Sequence, residues 1–238
     1  MKKFLSAFTI ATILFIPAVM NAQFLKNAKK LLGSDNASFT EQEAAQGIRE
    51  ALINGTGKSV DLVSLVDGYF GNPEIKIPFP EDARVVESTL RSMGMGKQVD
   101  DAIQSINRAA EDAAREAKPI FVDAIKAMSI QDAIGIIKGE DNAATEYLRK
   151  STTTELNKKF QPVISKSLDR VQATRYWTDV INTYNKIPFV QKVNPDLTAY
   201  VTGLAIDGLF IMISKEEKKI RKDPLARTSD ILKKVFAN

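Results

Sequence analysis

YVTGLAIDGLFIMI, Tyr200 to Ile213, carries one charge, Asp207, in fourteen residues. Its apolar positions are not restricted to one helical face, and a helix that is hydrophobic all round is a buried one. Fourteen residues fall short of the ~20 needed to span a bilayer. The stretch therefore predicts a core helix, with the chain built around it as an all-α, single multi-helix domain. Gly203 and Gly208 each cost ~1 kcal/mol against alanine inside a helix, so both are expected where neighbouring helices approach closely. Asp207 is then expected inside, where a lone carboxylate is expensive. It is either an anchor paired with an Arg or Lys of another helix, or the acid of a pocket.

The helix is expected to emerge into water through SKEEKKIRKDPLAR, Ser214 to Arg227. Glu217 and Arg221 are an i,i+4 pair in the favourable order. Asp223-Pro224 reads as a cap followed by proline at the first helical position, so a new helix is expected there, with Arg227 in its first turn. Upstream, the Asn194-Pro195-Asp196 turn launches the central helix.

The elements that surround it follow from caps and apolar periodicity. Thr40-x-x-Glu43 is a capping box, and Asn54-Gly55 is expected to end that helix. GTGKS, Gly55 to Ser59, is not a phosphate-binding loop: such a loop needs glycine where Leu52 stands. It is expected as a turn, with Val60 to Phe70 a second helix. Ile75-Lys76-Ile77-Pro78-Phe79-Pro80 alternates, but its two prolines exclude a central strand; a short extended strap across the helices is expected. A helix from Pro80 ends at Gly94 or Gly96. Val99, Ile103, Ile106, Ala110, Ala113, Ala117, Phe121, Ala124 and Met128 form the clearest helical stripe, which Pro119 must kink or divide. Ser129-x-x-Asp132 and Thr152-x-x-Glu155 read as capping boxes, Asn142 as a cap, and Pro162 as a kink. Trp177, Ile181 and Tyr184 suggest another helix. Short polar turns join these helices, with no repeat or linker, as in one all-α domain.

The N-terminus, MKKFLSAFTIATILFIPAVMNA, has the charged, apolar and small-residue regions of a secretory signal. Residues 1–22 are expected to be cleaved, and no cysteine follows that would take a lipid anchor. Their only charges are Lys2 and Lys3, so cleavage lowers the net charge from +4 to +2. The isoelectric point near 9.1 therefore does not point to nucleic acid, and no basic patch with interleaved aromatics is present. Residues 23–39 form an N-terminal segment and loop; within it FLKNAKKLL, Phe24 to Leu32, is basic and amphipathic. It suits either peripheral contact with a membrane surface or packing on the domain, residues 40–238.

The chain has no histidine and no cysteine. That excludes Ser-His-Asp and Cys-His catalysis and histidine- or thiolate-bound zinc. No calcium-loop spacing appears, and no metal or cofactor is expected. Two charged clusters remain. In the first, Asn107, Arg108, Glu111, Asp112 and Arg115 allow Arg108 to face Glu111 and Asp112, and Glu111 to face Arg115. This is either a solvated ladder or a set that turns Glu111 towards the central helix. The second, Glu216, Glu217, Arg221, Asp223 and Arg227, is either a structural ion network or a pocket for an anion or carboxylate.

Asn-Arg-Ala-Ala-Glu at 107–111, Ala-Ala-Thr-x-Tyr at 143–147, Asp-Gly-Leu-Phe at 207–210, Glu-Glu-x-x-Ile-Arg-x-Asp-Pro-x-Ala-Arg at 216–227 and Leu-x-x-Val-Phe at 232–236 resemble a family of exported bacterial proteins catalogued only as a domain of unknown function. The resemblance runs from about Glu43 to the C-terminus. It implies an exported, mostly helical domain and brings no activity.

Three functions are compatible with these features. The first is a non-enzymatic envelope protein that binds a partner protein or small ligand between its helices. The second is a carboxylate-based enzyme or metal-binding protein using Glu111, Asp207 and Glu217. The third is a carrier of an apolar molecule, suggested by twelve Phe and the uncharged central helix.

Overall fold

The computed structural model describes residues 40–170, isolated residues between 177 and 194, and residues 196–223. The expected signal, the Phe24–Leu32 segment, most of the helix around Trp177, and everything from Pro224 onward, including Arg227, lie outside the described residues.

Seven α-helices are described: α1 Glu41–Val63, α2 Arg84–Ser92, α3 Gly96–Ala114, α4 Ala117–Ala127, α5 Ile130–Lys138, α6 Ala143–Arg170 and α7 Leu197–Lys222. The fold is all-α. α7 lies against α6, α1 and α3; α6 also packs on α3 and α4, and α1 on α4 and α5. One core joins them, with Phe121, Phe160, Phe210, Leu148, Leu156 and Ile106 fully buried. The rings of Phe121 on α4 and Phe210 on α7 meet edge to face at 5.9 Å.

The caps at Thr40 and Ser129 form as their sequences predict. Each hydroxyl accepts the N–H three residues on, and each carboxylate, of Glu43 and Asp132, returns to the cap. Those bonds hold both carboxyls below their ordinary pKa values. Asp196 caps α7 by accepting the Ala199 N–H. Thr152 does not start a helix. It is buried inside α6 and returns its hydroxyl to the Leu148 carbonyl at 2.6 Å. α6 also runs through Pro162 without ending. Pro119, by contrast, accompanies a division: α3 stops at Ala114 and α4 starts at Ala117. As the third residue of α4, Pro119 lacks an N–H where a helix would leave one unpaired anyway.

Asn54-Gly55 does not end α1, and GTGKS is neither loop nor turn; the helix continues to Val63. The reason is packing. Gly55, Thr56, Gly57 and Ser59 are buried, and a Cβ on Gly55 would already touch Glu216 and Ile220 of α7 at 3.4 Å. Thr56 and Ser59 satisfy their hydroxyls on the carbonyls of Leu52 and Gly55. The close approach outweighs the weak intrinsic preference of glycine for a break. The predicted helix Val60–Phe70 is accordingly the end of α1 followed by turns over residues 64–71. Asp67 there has φ +67°, a region that aspartate enters more readily than most residues.

The expected extended strap is not found as a strand. Among the described residues there is none, and 76–80 have no regular structure. Ile75, Ile77 and Phe79 are nonetheless buried while Lys76 and Pro78 are exposed.

α7 differs from the helix buried on every side that its composition suggests. Ala199, Gly203, Asp207, Ile211 and Lys215 form an exposed stripe at i,i+4 spacing. Val201, Ala205, Leu209, Phe210 and Ile213 on the other faces are buried. The complete helix, 26 residues with a mean hydropathy of 1.6 in its most apolar window, is long and apolar enough to cross a membrane; half of that window is buried inside the protein. Asp207 is correspondingly on the surface, with 55% of its side chain exposed. It meets Arg149 of α6 at 2.6 Å, and that guanidinium lies 4.5 Å over the Phe210 ring. The two glycines also separate. A Cβ on Gly203 meets nothing within 4 Å, whereas one on Gly208 would sit 2.8 Å from the Tyr69 ring and 3.1 Å from Ile75. The close neighbour is the irregular segment after α1, not a helix.

Three substitutions test this arrangement by thermal and denaturant unfolding. Gly203→Ala should raise stability by up to ~1 kcal/mol, the propensity gain. Gly208→Ala should lower it by about 1–3 kcal/mol, as overpacking outweighs that gain. Asp207→Ala should change it by less than about 1 kcal/mol, because the pair is exposed.

Candidate functional site

The two charged clusters resolve into two buried carboxylates, each closing a backbone gap. Glu217 projects from α7 and is nearly sealed; 6% of its side chain is exposed. Its Oε1 accepts the Ala144 N–H at 3.0 Å, and Oε2 accepts the Thr145 N–H at 2.9 Å and the Thr145 hydroxyl at 2.7 Å. These are first-turn donors of α6, so Glu217 caps a helix from which it is 73 residues distant in sequence. Its charge also meets the positive end of the α6 dipole. The donors that Asn142 was expected to take are thus held by another element. Arg221, one turn further along α7, adds Nε and Nη2 bonds to Glu217 Oε1 at 3.0 and 2.8 Å. Its Nη2 also donates to the Ile136 carbonyl of α5 at 2.8 Å. One ion pair therefore joins α5, α6 and α7.

Glu111 repeats the device on α3. Its Oε1 accepts the consecutive N–H groups of Tyr69 and Phe70 at 3.1 and 3.2 Å. Its Oε2 accepts Arg108 at 2.7 Å, and Arg108 also reaches Asp67 at 2.7 Å. Glu111 therefore faces the turns that follow α1, not the central helix. Arg115 pairs with Asp112 at 2.7 Å and donates to the Ser64 carbonyl, so the expected Glu111–Arg115 contact is replaced. Asn107 is fully buried and exchanges two 2.8 Å bonds with the backbone of Ile77, with a third to the Ile103 carbonyl. It holds the irregular segment as a strand neighbour would.

Tyr69 links this corner to α7: its hydroxyl donates to the Ala205 carbonyl at 2.6 Å. Burial, and then the nearby Glu111 charge, push its pKa far above the ordinary 10.0.

Of the sequence-nominated residues, Asn107, Arg108 and Glu111 come together at one corner, and Glu217 and Arg221 at another. Asp207 stands apart on the surface, and Asp223 is the C-terminal cap of α7. Asp67, Tyr69 and Arg149 complete these arrangements without a prior signal, because each lies in a turn or in another helix. Among the described residues no group of three acidic side chains converges as a metal site.

A family described as a protein of unknown function, DUF4197, matches residues 38–237. The chain belongs to this family. Its model spans every helix described above. No curated protein and no solved structure matches the chain.

Breaking either carboxylate clamp leaves donors unpaired in the interior. Removing one partner of a buried ion pair costs about 3–5 kcal/mol. Glu217→Ala is therefore expected to destabilise this DUF4197 domain by that amount in denaturant titration, and the double variant Glu217→Ala/Arg221→Met by less than the sum of the singles. A second test uses pH. The folded pKa of Tyr69 is raised, so the stability it contributes is complete below about pH 10 and falls as pH rises towards the folded value. Melting temperature measured from pH 8 to 11.5 should drop more steeply above pH ~10 in the wild type than in Tyr69→Phe.

Proposed function

We propose that this DUF4197 member is exported and acts in the cell envelope by binding, without catalysing a reaction. The observation that carries the non-enzymatic part is the fate of the carboxylates. General acid–base chemistry needs a group within reach of substrate and free to exchange a proton. Glu111 and Glu217, the most buried acids, are instead closed over by backbone N–H groups and arginines of the same chain. With no histidine or cysteine in the chain, the side chains left for covalent or proton-transfer work are few. Export is supported by the charged, apolar and small-residue order of residues 1–22.

The expected outcome of fractionating cells that express the full chain is recovery outside the cytosol as a form beginning near Gln23, read by N-terminal sequencing. Recovery of the intact chain in the cytosol would refute export. Hydrolytic turnover by the purified protein that disappears in a folded Glu217→Gln variant would refute the non-enzymatic reading.

A further inference from the structure

We propose that the cleft between α3 and α6 binds the oxyanion of a small ligand, a carboxylate or a phosphate. Beside the central helix, the Glu217 carboxylate is taken up by its own bonds, and Arg227 lies outside the described residues. The α3–α6 cleft is an open concavity of about 270 Å³. That is just below the size of pockets for drug-sized molecules, which suits a small acid or one charged group of a larger molecule.

Its donors are of the right kind. α3 contributes the Gln104 amide and Arg108, and α6 contributes Arg170; the hydroxyls of Ser105 and Ser167, also in the lining, donate to the Asp101 carbonyl and to Asp112. Arg108 is already oriented: its Nη1 donates a hydrogen bond to Glu111 and its Nη2 one to Asp67, each at 2.7 Å. A guanidinium has five N–H donors, so three remain. A ligand that meets this fork need not immobilise it first, which lowers the entropic cost of binding. Arg170 approaches from α6. Its one bond among the described residues is to the Ser167 hydroxyl at 3.4 Å, and no described carboxylate pairs with it. It is the one arginine of the lining without a carboxylate beside it among the described residues. Asp112, the acid in the lining, is turned to Arg115 at 2.7 Å; its second oxygen lies 3.4 Å from the Ser167 hydroxyl. Both of its oxygens therefore accept from side chains of the protein, Arg115 and Ser167. Two arginines with an amide neighbour match the planar, bidentate recognition of carboxylate and phosphate.

This deepens the binding reading and does not depend on export. The test is isothermal titration of the purified protein at low ionic strength with sodium citrate, sodium succinate and sodium phosphate, and with glycerol as the neutral control. At least one anion should bind with a dissociation constant below about 1 mM (−4.1 kcal/mol), weaken as sodium chloride is added, and leave glycerol silent. Phosphate alone binding identifies a phosphoryl ligand; citrate or succinate alone identifies a carboxylate. Arg170→Gln should weaken binding at least tenfold with its melting temperature unchanged, since Arg170 is exposed. Ser167→Ala, at a partly buried position, serves as a second variant with a smaller loss in the same direction, because it removes the hydroxyl that Arg170 donates to. Absence of binding by all three anions at 10 mM, or equal binding by Arg170→Gln, overturns the proposal. A cytosolic location in the fractionation experiment would leave this result standing.

Discussion

A carboxylate withdrawn from water must be given hydrogen-bond donors by the protein, and this fold answers that demand twice in the same way. Glu217 and Glu111 each accept two consecutive backbone N–H groups and one arginine from their own helix. In both cases the backbone groups belong to a distant part of the chain that would otherwise present unpaired donors in the interior. The start of α6 is the first such place. The turn after α1 is the second, where Asp67 bends the chain through positive φ. The ionic pairs are therefore most effective as geometric constraints: each fixes where a chain segment begins relative to a helix. Replacing such a pair with apolar groups often costs little, whereas removing one partner costs much, because the orphaned groups have nowhere else to turn.

Between these two clamps lies the contact that sets the position of α7. Gly208 lets the Tyr69 ring and Ile75 press against the helix backbone, and the Tyr69 hydroxyl ends on the Ala205 carbonyl. Tyr69 is itself held through its N–H by Glu111. The chain of constraint runs from α3 through a side-chain carboxylate to a turn, and from that turn through a phenol to α7. The Asn107 amide extends it to Ile77. Irregular backbone can be buried here because polar side chains supply the partners that a sheet or helix would supply.

The helical class, the caps at Thr40, Ser129 and Asp196, and the Ala-rich stripe of α3 were legible because each rests on local chemistry with a fixed spacing. The failures share one cause, that a local signal was outweighed by a distant partner. Gly55 reads as a helix stop, but α7 lies so close that only a small residue fits and the helix continues. Thr152 reads as a cap, but within α6 its hydroxyl returns to Leu148. Asp207 reads as buried because its neighbours are apolar, yet it lies on the exposed i,i+4 stripe of α7, with Arg149 beside it. Within those fourteen residues the stripe is Gly203, Asp207 and Ile211, and its two uncharged members conceal it. The Glu217–Arg221 pair was visible as an i,i+4 spacing. That its acid closes the end of α6 was not, since the N–H groups of Ala144 and Thr145 have no signature in the side-chain sequence.

This division of labour also bears on function. Charged residues nominated together by their proximity in sequence separate in space according to what they must satisfy. Glu111, Glu217 and Arg221 turn inward to backbone groups and are saturated there. Arg108 stands at the boundary. Two of its donors are tied to Glu111 and Asp67, and the same bonds that stabilise the turn after α1 hold its guanidinium at the lip of the α3–α6 cleft. The proposed recognition role of Arg108 is compatible with its structural ion pairs, because a planar group with five donors can be fixed on one edge and open on another. Lysine at this position would keep the charge but not the fixed fork. The scaffold thus determines how the surface presents its charge.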